Sequence, residues 1–374
     1  MSGMAGGAVH VRVVRRAVRR VHGCVPYGVG LGVLMKIKAS PLTLYDPKRD
    51  GVTFSLLTAF KNCREKTKNI LEGWTSDKTT MAVTFGNMTH ELLRRTYRDH
   101  KNGVFTGKPP RRYIAQQIDD LEALWRQENP RADTEDLEHL EMTILLMQAV
   151  MPLYFQHWTY DFRLRWDRLE SEFRVPVSVK AFINRFGEPK HWPGGPYPSF
   201  KRGKMDGSYR GTSDRLRLFE TKTRGRIDGD TTSQILPFEM QVNIYMGALV
   251  ALDREYPSGV LYNIIRRPQL RLKKKETLAQ FADRVVADIR ARPDWYFVRL
   301  QMNVSKKEVN AAMRDIEGVM ADFLAWWNGD APHYRNSDHC EGKYGTCPFL
   351  KKCSSNDTTG LYVREKVFRE LDEM

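Results

Sequence analysis

The sequence has 374 residues, enough for one large domain with insertions or for two small ones. Its 41% hydrophobic and 11% aromatic content excludes a disordered chain, and no run approaches the roughly 18 apolar residues of a membrane span. Sixty Lys and Arg against 45 Asp and Glu give a formal charge of +15, a footprint of a polyanionic partner, because basic side chains displace counterions from phosphates.

Residues 1–34 carry five arginines, no lysine and no acid, which leaves 55 basic against 45 acidic groups for the remainder. Such a stretch reads as an organellar transit peptide or as an extension upstream of a true start at Met35; the second reading is preferred, and 1–34 are set apart from the fold. From there to residue 374 the pattern is that of a single domain. Apolar spacing predicts helices over 54–73, closing on Gly73, and over 86–101, then a loop at 102–110. Helical patterns resume over 111–128 and 134–160, followed by a strand at 170–179. Residues 187–204 read as loop from their Pro and Gly content. Two short strands, 204–211 and 215–223, join through a turn at Thr212–Asp214. A helix from Ser233 to Leu252, a strand at 259–267, a helix at 276–291, a strand at 295–303 and a helix at 305–328 precede a loop-rich tail. Interleaved strands and helices predict an α/β domain with a mixed central sheet flanked by helices. Its parts are a helical block at 54–160, a core at 168–303, and a C-terminal helix with a Cys-rich tail at 305–374.

The chemistry concentrates in residues 203–223. Asp206 falls on one predicted strand, Glu220 and Lys222 on the next. Side chains alternate along a strand, so Glu220 and Lys222 share a face, with Thr221 opposite. A hairpin would bring Asp206 to the same edge; Asp214, in the turn, is a weaker rival. Two carboxylates beside a lysine suit a hard divalent cation such as Mg²⁺. Taken alone, Glu-x-Lys is more often an ordinary ion pair worth at most ~1 kcal/mol. No Walker-type phosphate loop and no Gly-x-Ser-x-Gly elbow is present, which argues against a motor and against an acyl hydrolase.

Gly203-Lys204-Met205-Asp206 followed by Glu220-Thr221-Lys222 resembles the signature of PD-(D/E)XK nucleases, in particular the RecB-like exonuclease branch. Gly86 to His90 resembles its Gly-x-x-x-His motif, Gln241 to Tyr245 its Gln-x-x-x-Tyr motif, and Ser55 to Cys63 its N-terminal Ser…Phe…Cys segment. The likeness runs from about residue 53 to 353. It implies a restriction-endonuclease-like fold and a Mg²⁺- or Mn²⁺-dependent deoxyribonuclease. His90, Asp206, Glu220 and the Thr221 carbonyl would be metal ligands, Lys222 would act on the attacking water, and Gln241 and Tyr245 would contact the lysine or the DNA. An imidazole ligand suits Mn²⁺ as well as Mg²⁺. The implied setting is end processing in recombination, repair or phage DNA metabolism, in the cytoplasm of a bacterium or an infected host. DNA ends or single strands would be the substrate, a separate helicase or single-strand annealing protein the partner, and no membrane would be involved.

Cys63, Cys340, Cys347 and Cys353 form a second constellation, with gaps of six and five residues between the late three. Four thiolates suit a [4Fe–4S] cluster, which iron–sulfur members of the RecB-like branch carry in this layout, or a structural zinc. The branch usually spaces its late cysteines Cys-x2-Cys-x5-Cys, so the six-residue gap departs from it. Either group would staple the tail onto the first helix. Lys201, Arg202, Lys204, Arg210, Arg224 and Arg226 are the expected DNA contacts, with a further basic stretch at Arg266, Arg267, Arg271 and Lys273 to Lys275. A non-catalytic DNA-binding or structural module that keeps the nuclease fold is the alternative reading.

Overall fold

A computed structural model describes residues 44–76, 80–179, 181–183, 189–192, 195–211, 213–342, 345–368 and 371. The Arg-rich stretch 1–34, with Cys24 and the Met35 start, lies outside the described residues. Residues 38–374 make one compact unit.

Its centre is a five-stranded mixed sheet in sequential order: β1 (Arg165–Val179), β2 (Tyr197–Arg210), β3 (Leu216–Arg224), β4 (Gly259–Arg266) and β5 (Phe297–Asn303). Neighbours are antiparallel except β3 and β4, which run parallel. The helices are α1 (Phe54–Asn62), α2 (Arg64–Leu71), α3 (Met81–Lys101), α4 (Arg111–Glu128), α5 (Thr134–His157), α6 (Met240–Asp253), α7 (Leu278–Ala291) and α8 (Lys306–Trp327). A parallel neighbour needs a crossover, and α6 supplies it between β3 and β4.

The two faces of the sheet bury different cores. Leu216, Leu218, Val260, Tyr262 and Ile264 pack with residues of α1, α6 and α8. Phe219, Leu261, Ile265 and Phe297 pack with residues of α3, α4, α5 and α7. Adjacent residues such as Leu218 and Phe219 therefore enter opposite cores, as a two-residue repeat requires. Among the described residues no single helix is long and apolar enough to cross a membrane; a bent pair, Gly229–Phe238 with α6, passes that test together, and the α6 segment Val242–Leu249 is buried in the core.

Several elements differ from the sequence expectation. The helix expected over 54–73 breaks at Cys63, whose extended backbone (φ −163°, ψ 119°) ends α1 and starts α2. The helix expected from Ser233 is interrupted at Pro237, where a short 3₁₀ turn separates Gly229–Ile235 from α6. The segment 187–204, expected as loop, contributes Tyr197–Lys204 to a long β2 because β1 offers a continuous ladder from Val179↔Tyr197 onward. Pro198 costs nothing there, since it sits near the end of that ribbon.

One departure shapes everything that follows. Pairing of β2 with β3 ends at Gly207↔Phe219, whereas β1 stays paired with β2 for nine more residues of its length. The edge of β2 that β3 vacates is taken by Val52, which bonds Phe200 and Arg202 and so sets the start of α1 beside it. The β1–β2 ribbon also turns over at this level. Leu169 and Tyr209 pack into the core under α3 to α5, but Phe173 and Met205, an even number of residues away, pack into the other. Strict alternation would keep each pair on one face.

Candidate active site

The fork where β2 leaves β3 holds the polar cluster. Asp206 follows the last β2–β3 pair in space, so its carboxylate replaces a ladder carbonyl: Oδ2 accepts the Thr221 N–H at 2.6 Å. Its other oxygen lies 3.2 Å from His90 Nδ1. His90 reaches it because Gly86, one turn earlier on α3, lies against β3; a Cβ there would sit 3.0 Å from Thr223 Oγ1. The Gly-x-x-x-His spacing thus has a packing cause.

From the other face come Glu220 and Lys222, on the same side of β3 as the alternation requires. Glu220 is fully buried and one of its oxygens accepts from the Lys222 ammonium. Lys222 Nζ also donates to Gln241 Oε1 at 2.7 Å, and Gln241 Nε2 donates to Tyr245 OH at 2.9 Å. The four-residue spacing puts both on one face of α6. Tyr245 lies edge-on to Phe173, and both rings close over Gly203, where any Cβ would meet Phe173 at 3.0 Å. All seven residues expected at the site, from His90 to Tyr245, therefore converge.

Sequence reasoning missed Glu170. It sits on β1 directly across from Asp206, between the pairs Leu169↔Gly207 and Ser171↔Met205, with φ at +43°. A non-glycine residue in that region costs about 1–3 kcal/mol. The distortion aims its carboxylate at the site, 4.0 Å from His90 Nδ1 and 3.1 Å from Lys204 Nζ. Ligand atoms of His90, Glu170 and Asp206 all lie within 4.8 Å of one another. This triad differs from the expected ligand set by including Glu170, while Glu220 stands behind with its Oε2 buried and unpartnered.

Confinement shifts the acids. Burial and the Asp206 charge push Glu170 up to about 7 against the pull of Lys204 and His90. Burial, assisted by Asp206, likewise lifts Glu220 to about 7 despite Lys222. Burial would raise Asp206 too, but His90, Lys222 and the Thr221 N–H outweigh it and hold it below its ordinary value. Lys222 is raised: burial would lower it, and the Glu220 and Asp206 carboxylates prevail. Three crowded carboxylates, an imidazole and an orphaned carboxylate oxygen make a donor set that suits a divalent cation.

A cleft of about 440 Å³ opens beside the cluster, lined by Thr53, Ser55, Arg202, Lys204, Gln241 and Tyr245. A separate hollow of about 380 Å³ is lined by Arg224, Arg226, Asp228, Glu239 and Tyr262. Four of the expected basic contacts, Arg202, Lys204, Arg224 and Arg226, thus border these openings. Lys201 does not: it is 5% exposed on the opposite face of β2, near Met313, and burial lowers its ammonium to about 8. Arg210 also departs from expectation, paired with Glu255 and Asp167 at the far end of β2. Asp214, the rival acid, is exposed in the turn beside Arg165. Of the second basic stretch, Arg266 is buried against the Trp295 ring, whereas Arg271 and Lys273 to Lys275 are exposed.

The C-terminal tail folds back onto α1 and α2. Leu361–Val363 pairs with Trp74–Ser76, Asn336 donates to the Asn62 carbonyl at 2.9 Å, and His333 lies 2.6 Å from Glu65. Cys63, Cys340, Cys347 and Cys353 are all half-buried free thiols. Burial raises the Cys353 thiol, with Glu65, Cys347 and Cys63 adding to the effect, so these groups are neighbours. No three sulfurs among the described residues come within 4.8 Å of each other.

No protein-family model matches the chain, and no curated protein is similar to it. Among solved structures, that of SSO0001 is similar at 13% identity over 63% of this chain and 86% of that one. Its TM-score of 0.23 carries no argument.

Proposed function

We propose that the chain is a divalent-metal-dependent DNA nuclease with a restriction-endonuclease-like core, of the RecB-like branch of the PD-(D/E)XK nucleases. The observation that carries the reading is the fork itself. Asp206, Glu220 and Lys222 meet there with His90, and the buried Oε2 of Glu220 has no partner among the described residues. A buried carboxylate oxygen left unpaired is costly unless something cationic occupies the space before it.

His90, Asp206 and Glu170 would hold the cation, with Glu220 and the Thr221 carbonyl completing its surroundings. A bound Mg²⁺ or Mn²⁺ supplies a lowered pKa for water and neutralises phosphoryl charge. The chain does the rest. Gln241, itself held by Tyr245, fixes the Lys222 ammonium between Glu220 and the opening. From there Lys222 orients the attacking water and meets the charge that develops on the phosphoryl oxygens. Arg202, Lys204, Arg224 and Arg226 would hold the strand by its phosphates, which confers no sequence preference. The cysteine quartet would staple the tail to α1 and α2 through a [4Fe–4S] cluster.

The test is Mn²⁺- or Mg²⁺-dependent degradation of end-labelled linear DNA by the wild type and by Glu220→Ala. Degradation that requires both metal and Glu220 is the expected result, and the label pattern gives the polarity. No cleavage of single- or double-stranded DNA by anaerobically purified protein would overturn the reading in favour of a binding module.

A further inference from the structure

At the level of Asp206, four of the five strands, β2 to β5, each contribute a polar residue to one hydrogen-bonded row. Asp206 accepts the Thr221 N–H. Thr221 is the ladder partner of Asn263, whose Nδ2 donates to Thr221 Oγ1 at 3.2 Å and to Tyr154 OH at 3.0 Å. Asn263 is in turn the ladder partner of Arg299, whose Nε donates to Asn263 Oδ1 at 3.1 Å. The Arg299 guanidinium grips Asp161 with two bonds, of 2.7 and 2.6 Å, and stacks 3.9 Å over Trp158. Asp161 also accepts from Tyr97 OH at 2.6 Å. Thr221, Asn263 and Asp161 are all buried and the Arg299 side chain is 9% exposed, so the row runs through the protein interior up to Asp206.

The fork leaves the Thr221 end of β3 without a backbone partner on the β2 side. A strand edge freed in this way would shift unless held from its other flank. We infer that Asn263, anchored by Arg299 and Asp161, is a positioning residue for the site. Its amide holds Thr221 Oγ1, which fixes the peptide whose N–H orients Asp206. The inference rests on the metal-dependent reading above. Replacing a residue that hydrogen-bonds a metal ligand from behind typically changes metal affinity or activity by about 10–100-fold.

Two variants of Thr221 separate the brace from simple packing. Thr221→Ser keeps the hydroxyl; Thr221→Val keeps the shape and removes the acceptor. Mn²⁺ affinity of the full chain, measured by titration, is expected to be about tenfold lower in Thr221→Val than in Thr221→Ser, both of which keep the backbone carbonyl. In an Asn263→Ala background the Val and Ser variants should bind Mn²⁺ alike, because the backbone ladder remains but the hydroxyl no longer has an amide donor. Equal affinity of the two single variants, or a Val effect undiminished in the Asn263→Ala background, overturns the brace. Should the wild type bind no Mn²⁺, the nuclease reading fails, and amide exchange of β3 in the metal-free protein decides the brace alone. Faster exchange at residue 221 in Thr221→Val than in Thr221→Ser supports it, and equal rates overturn it.

Discussion

The two ends of the polar row are made of the same materials and behave oppositely. At one end Asp161, Tyr97, Tyr154 and Asn263 are buried in the core, the Arg299 side chain is only 9% exposed, and both oxygens of Asp161 are bonded. At the other, Glu170, Asp206 and Glu220 crowd together, the backbone at Glu170 is strained, and Glu220 Oε2 is the one carboxylate oxygen without a partner among the buried described groups. A buried network is tolerated when each member is satisfied. The Arg299 end meets that condition within the chain; the Asp206 end meets it only with something added. Incompleteness, rather than acidity, marks the candidate site.

Removing a residue from each end should therefore do different things. Lys222→Ala is expected to lower DNA cleavage at least about 10²–10³-fold, the loss typical of one positioned charge donor, while thermal stability and DNA binding change little. Loss of the fold instead would assign Lys222 a structural role. Asp161→Ala should show the reverse emphasis: it strands the buried Arg299 charge, a change that costs about 3–5 kcal/mol, and a large drop in Tm is expected. A Tm within about 2 °C of wild type would show that the sealed end is not what holds the lobe. Smaller again is the effect of Cys347→Ser, which should strip bound iron and loosen the tail, read as faster proteolysis after residue 329. An unchanged iron content and an unchanged digest would sink the staple.

Much of the site was legible because its signal is spacing. Glu220 and Lys222 share a face by alternation and Gln241 and Tyr245 by helical repeat, whereas Gly86 and His90 stand out only by resemblance, and the close approach of α3 to β3 supplies the reason for their spacing. Glu170 obeys none of these. It reaches the site through a positive φ and a ribbon that turns over, and no local pattern encodes either. Asn263 and Arg299 were illegible for a related reason: each looks like an isolated polar residue in a strand, and only the register of three strands joins them. The strands are legible in outline but their order is not, and β2 is longer than expected because Pro and Gly content describes local preference and not the partner ladder. Lys201 shows the same limit. Its neighbours in sequence are basic and near the cleft, yet one step along the strand places it in the apolar face.

The smallest prediction concerns protons. In the folded, metal-free chain burial lifts Glu170 and Glu220 to about 7, against an ordinary value of 4.5. Between those values the folded state binds protons that the unfolded chain has released, so stability should rise as pH falls from 8 to 6. His90 acts in the same sense: although burial would lower it, Asp206 and Glu170 raise it, so its stabilising charge is lost as pH rises through that elevated value. Asp206 is depressed, and its contribution disappears only at lower pH. Melting in the presence of a chelator should accordingly show Tm at pH 6 above that at pH 8 by about 2 °C or more. Saturating Mn²⁺ should reverse the slope, since a cation must displace the same protons and binds more tightly as pH rises. Glu220→Gln should flatten both profiles. A chelated wild type whose Tm rises from pH 6 to pH 8 would mean that the acidic end of the row is already satisfied by the protein, and the contrast with Asp161 would collapse.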